Sequence, residues 1–222
     1  MNAIYEFVTG PLAWVAWGVF VLGSAWRLVS MYKLAKAKDT ASLAFMDWGF
    51  SLRSIFNWLI PFNALGWRKN PAMTVGTFAF HISLIVAPIF LVAHVTLWDE
   101  FFGISYPALP DTVADAMTLV VIAACLFFAG RRLMMPEVRY ITTGKDWLAL
   151  VIVLAPFLTG FLAYHQVGGA AGYDALIVAH IVAGEIMLAA IPFTRLSHMV
   201  FAAFTRAYMG SEFGGVRHAR DW

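Results

Sequence analysis

An all-α membrane protein of five transmembrane helices is the fold class the sequence predicts, on three observations. Hydrophobic residues make up 61% of the 222 and charged residues 13%, against roughly 45–50% and ~25% in a soluble domain. Five apolar runs reach the ~20 residues needed to cross a bilayer core. The basic residues gather in alternate connections between those runs. The spans consume most of the chain, so residues 1–222 read as a single transmembrane domain with no sizeable soluble part. The lone cysteine, Cys125, sits in an apolar run. It excludes intrachain disulfides, a four-thiolate iron–sulfur cluster and a CxxCH haem attachment. The net charge of +2 is small, and no nucleic-acid partner is expected. The N-terminus, MNAIYEFVTG, lacks a basic stretch, so a cleaved signal peptide is not expected.

The first span is predicted over 11–32, with Pro11 opening it where a missing N–H costs nothing. Residues 41–67 are apolar but interrupted by Asp47, Arg53, Asn57 and Pro61, which predicts one amphipathic helix lying in the membrane interface. The remaining spans are predicted over 75–98, 113–132, 147–165 and 175–201. Trp14, Trp17, Trp98 and Trp147 fall near span ends, as interfacial anchors do.

The connections set orientation. Lys33, Lys36, Lys38, Arg53, Arg68 and Lys69 follow the first span; Arg131, Arg132, Arg139 and Lys145 follow the third; Arg206, Arg217 and Arg220 follow the fifth. Residues 99–112 and 166–174 contain no Lys or Arg. The positive-inside rule then places the N-terminus outside and the C-terminus in the cytoplasm.

Histidine supplies the candidate chemistry. His180 and His198 are eighteen residues apart, five whole turns of an unbroken helix, hence on one face and ~27 Å apart along the axis. His81 and His94 share the second span, ~19.5 Å apart. Orientation matches the four in depth: His94 with His180 near the outer surface, His81 with His198 near the inner one. Two depth-matched imidazole pairs on two membrane helices are what axial ligation of two haems requires. No Cys, Asp or Glu cluster accompanies either pair, as other metal sites would need. Thirteen residues separate His81 from His94, so a straight helix would point them about 140° apart. Either Pro88, between them, re-aims one end by kinking the helix, or the two haems lie on different flanks.

Other polar residues attach to this scheme. Arg195, three residues before His198, can meet a haem propionate, and Arg27, Arg131 and Arg132 lie toward the same surface. The positive-inside rule alone also explains each of them. His165, ending the fourth span, is a solvated span-end residue, an alternative outer ligand, or a group that binds and deprotonates a quinol. Glu185, the one carboxylate deep in a span, is either a proton-relay group or a protonated partner of a neighbouring helix. A haem-free anchor for a peripheral enzyme and a proton-coupled transporter are the competing function classes.

Three stretches, GVFVLGSAWRL (18–28), GRRLMMPEVRYITTGKDWLAL (130–150) and AHIVAGEIMLAAIPFTRLSH (179–198), resemble the respiratory nitrate reductase gamma subunit superfamily, membrane cytochromes b with two haems. The resemblance implies that His81 and His198 ligate an inner haem b, and His94 and His180 an outer one. It implies a multi-pass subunit of the bacterial inner membrane. Electrons would pass from an outer quinol to a cytoplasmic iron–sulfur subunit. Nitrate reductase members have ten residues between their span-two histidines and a quinol-site lysine near the start of span three. This chain has thirteen, and offers Pro110, Asp111 and Asp115 there. It is more similar to the cytochrome b subunits of transmembrane redox complexes in sulfate reducers. That likeness implies further membrane subunits, a multihaem cytochrome c as an electron partner, and menaquinone as a quinone.

Overall fold

The computed structural model describes residues 2–220, which are helical with short connections and contain no strand. Five helices are long and apolar enough to cross a membrane: Ala3–Lys38, Pro71–Phe90, Asp111–Met134, Gly144–Tyr164 and Gly172–Phe193. The chain divides into two compact units, Met1–Thr9 with Val75–Met187, and Gly10–Thr74 with Leu188–Trp222.

The N-terminal helices are α1 (Asn2–Phe7) and α2 (Ala13–Lys38), joined by a π-helical turn, Val8–Leu12, that contains Pro11. Pro11 therefore lies inside a helical run rather than at its start. The wider turn gives the Pro11 ring room against the carbonyls of the preceding turn.

In the unit built on Val75–Met187, the second span is interrupted. Helix α6 (Pro71–Phe90) ends at Leu91, whose ψ of 135° is extended, and α7 (Val92–Phe102) starts a new helix. Gly103, at φ 65°, closes α7 in the left-handed conformation that a glycine adopts without a Cβ penalty. After it come α8 (Asp111–Met134), the short α9 (Pro136–Ile141), α10 (Gly144–Tyr164) and α11 (Gly169–Ala190). Helix α8 packs on α10 and turns Ala114, Thr118, Val121 and Cys125 inward, at the helical spacing of one face. A capping box fixes the start of α10: Asp146 Oδ2 accepts from the Thr143 amide at 2.8 Å and from its hydroxyl at 2.7 Å. Arg132 Nη2 stands 4.0 Å from the other oxygen of this buried carboxylate.

In the unit built on Gly10–Thr74, the predicted single amphipathic helix over 41–67 is instead three short helices, α3 (Thr40–Ala44), α4 (Trp48–Leu59) and α5 (Leu65–Lys69). The breaks have local causes. The Asp47 side chain accepts from the Phe50 amide at 2.9 Å as the N-cap of α4. The chain turns at Pro61 and at Phe62, with φ 62°.

The fifth predicted span also stops early. Pro192 opens a 3-10 turn (Ile191–Phe193), Thr194 is extended at φ −117° and ψ −170°, and a second 3-10 turn (Arg195–Ser197) leads into α12 (His198–Gly210). Proline cannot continue the hydrogen-bond ladder of α11. His180 and His198 thus lie on separate helices, and the five-turn, one-face geometry does not hold. Helix α12 packs on α4 through small residues. Ser51 Oγ donates to the Ala207 carbonyl at 2.8 Å, Arg206 Nε donates to Ser54 Oγ at 2.7 Å, and the Asp47 amide donates to Ser211 Oγ at 2.8 Å. A Cβ on Gly210 would meet Ser54 Cβ at 2.5 Å, so only glycine admits this approach.

Candidate functional site

The break at Leu91 releases carbonyls, and their new partners build one side of the site. The Leu91 amide still bonds to the Ala87 carbonyl at 2.9 Å, and the Val95 amide to the Leu91 carbonyl at 2.9 Å. Between them the carbonyls of Pro88, Ile89 and Phe90 lose the amides that an unbroken helix would supply. Each gains another donor. His94 Nδ1 donates to the Pro88 carbonyl at 2.6 Å, the Tyr106 hydroxyl to the Ile89 carbonyl at 2.8 Å, and the Leu109 amide to the Phe90 carbonyl at 2.8 Å. Tyr106 also sets its ring edge-on to Phe90, centroids 5.7 Å apart. The helix thus parts three residues after Pro88, and His94 bonds back across the break.

Helix α11 brings His180 to the same place. Its Nδ1 donates to the Pro156 carbonyl of α10 at 2.9 Å. A Cβ on Gly160 would lie 2.8 Å from both Nδ1 and Cε1 of the ring. Gly160, one turn beyond Pro156, is thus the gap through which His180 reaches its acceptor. The His94 and His180 rings lie with centroids 6.0 Å apart and planes 15° apart.

The two rings are near-parallel, at close to the separation of two imidazoles that share one metal. A carbonyl only accepts, so both Nδ1 atoms carry the proton and the lone pair of each ring is on Nε2. Metal–imidazole bonds of about 2.0–2.1 Å, with ~1.2 Å from each ring centre to its nitrogen, put ring centroids about 6.4 Å apart. An Nδ1–H···O=C bond fixes the tautomer and orientation of an imidazole that ligates through Nε2. Among the described residues no three or more His, Cys, Asp or Glu converge. What the site offers is an imidazole pair.

His81 and His198 fall in different units. Each repeats the same local device: His81 Nδ1 donates to the Thr77 carbonyl at 2.8 Å, and His198 Nδ1 to the Arg195 carbonyl at 2.8 Å. Arg195 thus supports His198 through its backbone, and its side chain is exposed. In the same unit as His198, Arg27 Nε and Ser24 Oγ, three residues apart on α2, are buried without a hydrogen-bond partner among the described residues.

His165 is placed differently from the other four. It caps the end of α10, and its Nε2 lies 3.2 Å from both carboxylate oxygens of Asp115. Asp111 lies within hydrogen-bonding reach of the neighbouring Tyr164 hydroxyl. The start of α8 and the end of α10 together therefore present two carboxylates, a phenol and an imidazole. It is His180, not His165, that faces His94. Both carboxylate oxygens of Glu185 are buried without a partner among the described residues.

Tyr106, Pro156 and Gly160 escaped sequence reasoning. Only the Pro156–Gly160 spacing of four could have hinted at an opened helix face.

No family model matches the sequence. A Nitratidesulfovibrio vulgaris (strain Hildenborough) protein, whose name carries no function, is 39% identical over 215 residues, covering 95% of this chain and 93% of its own length. The matched length spans the broken second span, the helix carrying Gly160 and residues His81, His94, His180 and His198, and the chain belongs to one family with this N. vulgaris protein.

Proposed function

We propose that the chain is a membrane cytochrome b subunit that carries electrons across the bacterial inner membrane through two b haems. The observation that carries this reading is the His94–His180 pair, with ring centroids 6.0 Å apart and both Nδ1 atoms tied to proline carbonyls. The repeat of that tie at His81 and His198 supports a second ligand pair. Haem supplies one-electron redox chemistry when bound; the chain supplies ligands, burial and spacing.

His94 and His180 hold the outer haem, His81 and His198 the inner one. Arg195 and Arg27 offer cations to propionates. In this reading the N-terminus is outside and the C-terminus cytoplasmic, an orientation supported by the charge pattern of the connections. On the outer side His165, held by Asp115, takes up a proton from a quinol, and Asp111 lies beside it. A multihaem cytochrome c is the other source of electrons there. A cytoplasmic iron–sulfur subunit, in company with further membrane subunits, is the partner at the inner face. We read the chain as a member of the nitrate reductase gamma superfamily, nearer the cytochrome b subunits of sulfate-reducer redox complexes, on the resemblance of residues 18–28, 130–150 and 179–198. Menaquinone is the quinone proposed.

The test is a reduced-minus-oxidised optical spectrum of the full chain purified from cells supplied with haem, with haem counted per chain. Two b haems are expected, falling to one in His94→Ala and in His180→Ala. Absence of b-type bands overturns the reading, and retention of both haems in both variants overturns the pairing.

A further inference from the structure

We infer that Tyr106 is a positioning residue for His94: the segment 103–110 is a strap that closes the broken helix end from which His94 is aimed. This rests on the proposed haem ligation, but its structural part stands apart from it.

Each of the three carbonyls freed at the break has one donor. One is the His94 imidazole; the other two, Tyr106 and Leu109, come from the strap. Carbonyls without partners are costly in a membrane segment, where no water replaces a lost donor. Without the strap, the Ile89 and Phe90 carbonyls would recover the amides of Ala93 and His94 by closing the helix across Leu91. That closure would return the Pro88 carbonyl to the Val92 amide and take it from His94 Nδ1. The ring would then lose both its aim and its bond to the Pro88 carbonyl. The reversal at Gly103, at φ 65°, sends the chain back along α7 so that Tyr106 and Leu109 reach the break. Tyr106 thus acts through the backbone of residues 88–91 and touches neither the metal nor the ring.

The experiment uses the full-length Tyr106→Phe variant, which keeps the ring against Phe90 and removes only the hydroxyl. Two measurements are made on it and on the unaltered protein: amide hydrogen exchange of the peptide covering 104–109, and redox titration of the two haems. Exchange of that peptide should be roughly tenfold faster, the scale expected for loss of one hydrogen bond. One haem should shift to higher potential, because an imidazole with a weaker Nδ1–H···O bond donates less to iron. The other haem should not move. Unchanged exchange overturns the strap. Faster exchange with both potentials unmoved overturns its positioning of His94. Absence of haem from the unaltered protein overturns the functional reading instead, and exchange then decides the strap alone.

Discussion

The chain breaks a helix twice beside a candidate ligand, at Leu91 and at Thr194, and closes the two breaks by different means. Each follows a proline within three residues, Pro88 in one case and Pro192 in the other. Each leaves a histidine with Nδ1 on a backbone carbonyl. At Leu91 two of the three freed carbonyls are taken by residues 15 or more positions away, across a reversed loop. At Thr194 the closure is local: its amide bonds to the Ala190 carbonyl at 3.1 Å, its hydroxyl accepts from the Leu196 amide at 3.2 Å, and its carbonyl accepts from the Ser197 amide at 3.2 Å. His198 then bonds three residues back, whereas His94 bonds six residues back across its break. A ligand aimed by distant contacts answers to loop mutations; one aimed by its own turn does not.

The largest expected effect tests the distant side of this contrast. Gly160→Ala puts a methyl 2.8 Å from the His180 ring, and the ring cannot retreat without leaving the Pro156 carbonyl. The expected outcome is loss of the haem proposed at His94 and His180, so that a haemochrome assay finds one haem per chain rather than two. Two haems in Gly160→Ala would show that His180 is not held as a ligand through Pro156. A smaller effect is expected at the local break. Gly23→Ala would meet Pro192 Cγ at 2.7 Å and Phe193 at 2.9 Å. The exposed Phe193 can swing away but the buried Pro192 cannot. Overpacking of this kind costs about 1–3 kcal/mol. A lowered thermal midpoint with the His94–His180 haem retained is the outcome expected, and loss of that haem first would break the contrast.

The same contrast explains what the sequence reveals. Composition and run length identify five spanning helices, and the third and fourth match their predicted ranges to within a few residues. Pro88 and Pro192 mark where helices are weak. Where each actually parts depends on donors: Tyr106 and Leu109 favour Leu91 from a distant loop, so no window around His94 contains the reason. The eighteen-residue spacing of His180 and His198 implies a shared face only while the helix is continuous, and Thr194 ends that. In 41–67 the apolar periodicity survives, but Asp47 as an N-cap and the turn at Phe62 divide it. The matched depth of His94 and His180 is legible in the sequence, but their facing is not, because it depends on the break at Leu91 and on the gap at Gly160. Gly160 gains its meaning only once His180 lies against it.

The smallest expected effect is at Thr194 itself. Thr194→Val keeps a β-branched side chain suited to φ −117° and ψ −170°, and removes only the oxygen that accepts from Leu196. Loss of such a cap costs about 0.5–2 kcal/mol. The Thr194 amide and carbonyl keep their own bonds, so His198 retains the Arg195 carbonyl as its acceptor and its haem stays bound. The expected result is a modest fall in stability with both haem potentials unchanged, where Tyr106→Phe, also a single lost hydroxyl, moves one of them. Equal shifts in the two variants would mean that distance between a break and its donors does not govern how a ligand is aimed. Unequal shifts in the stated direction would locate that control in the reach of the loop.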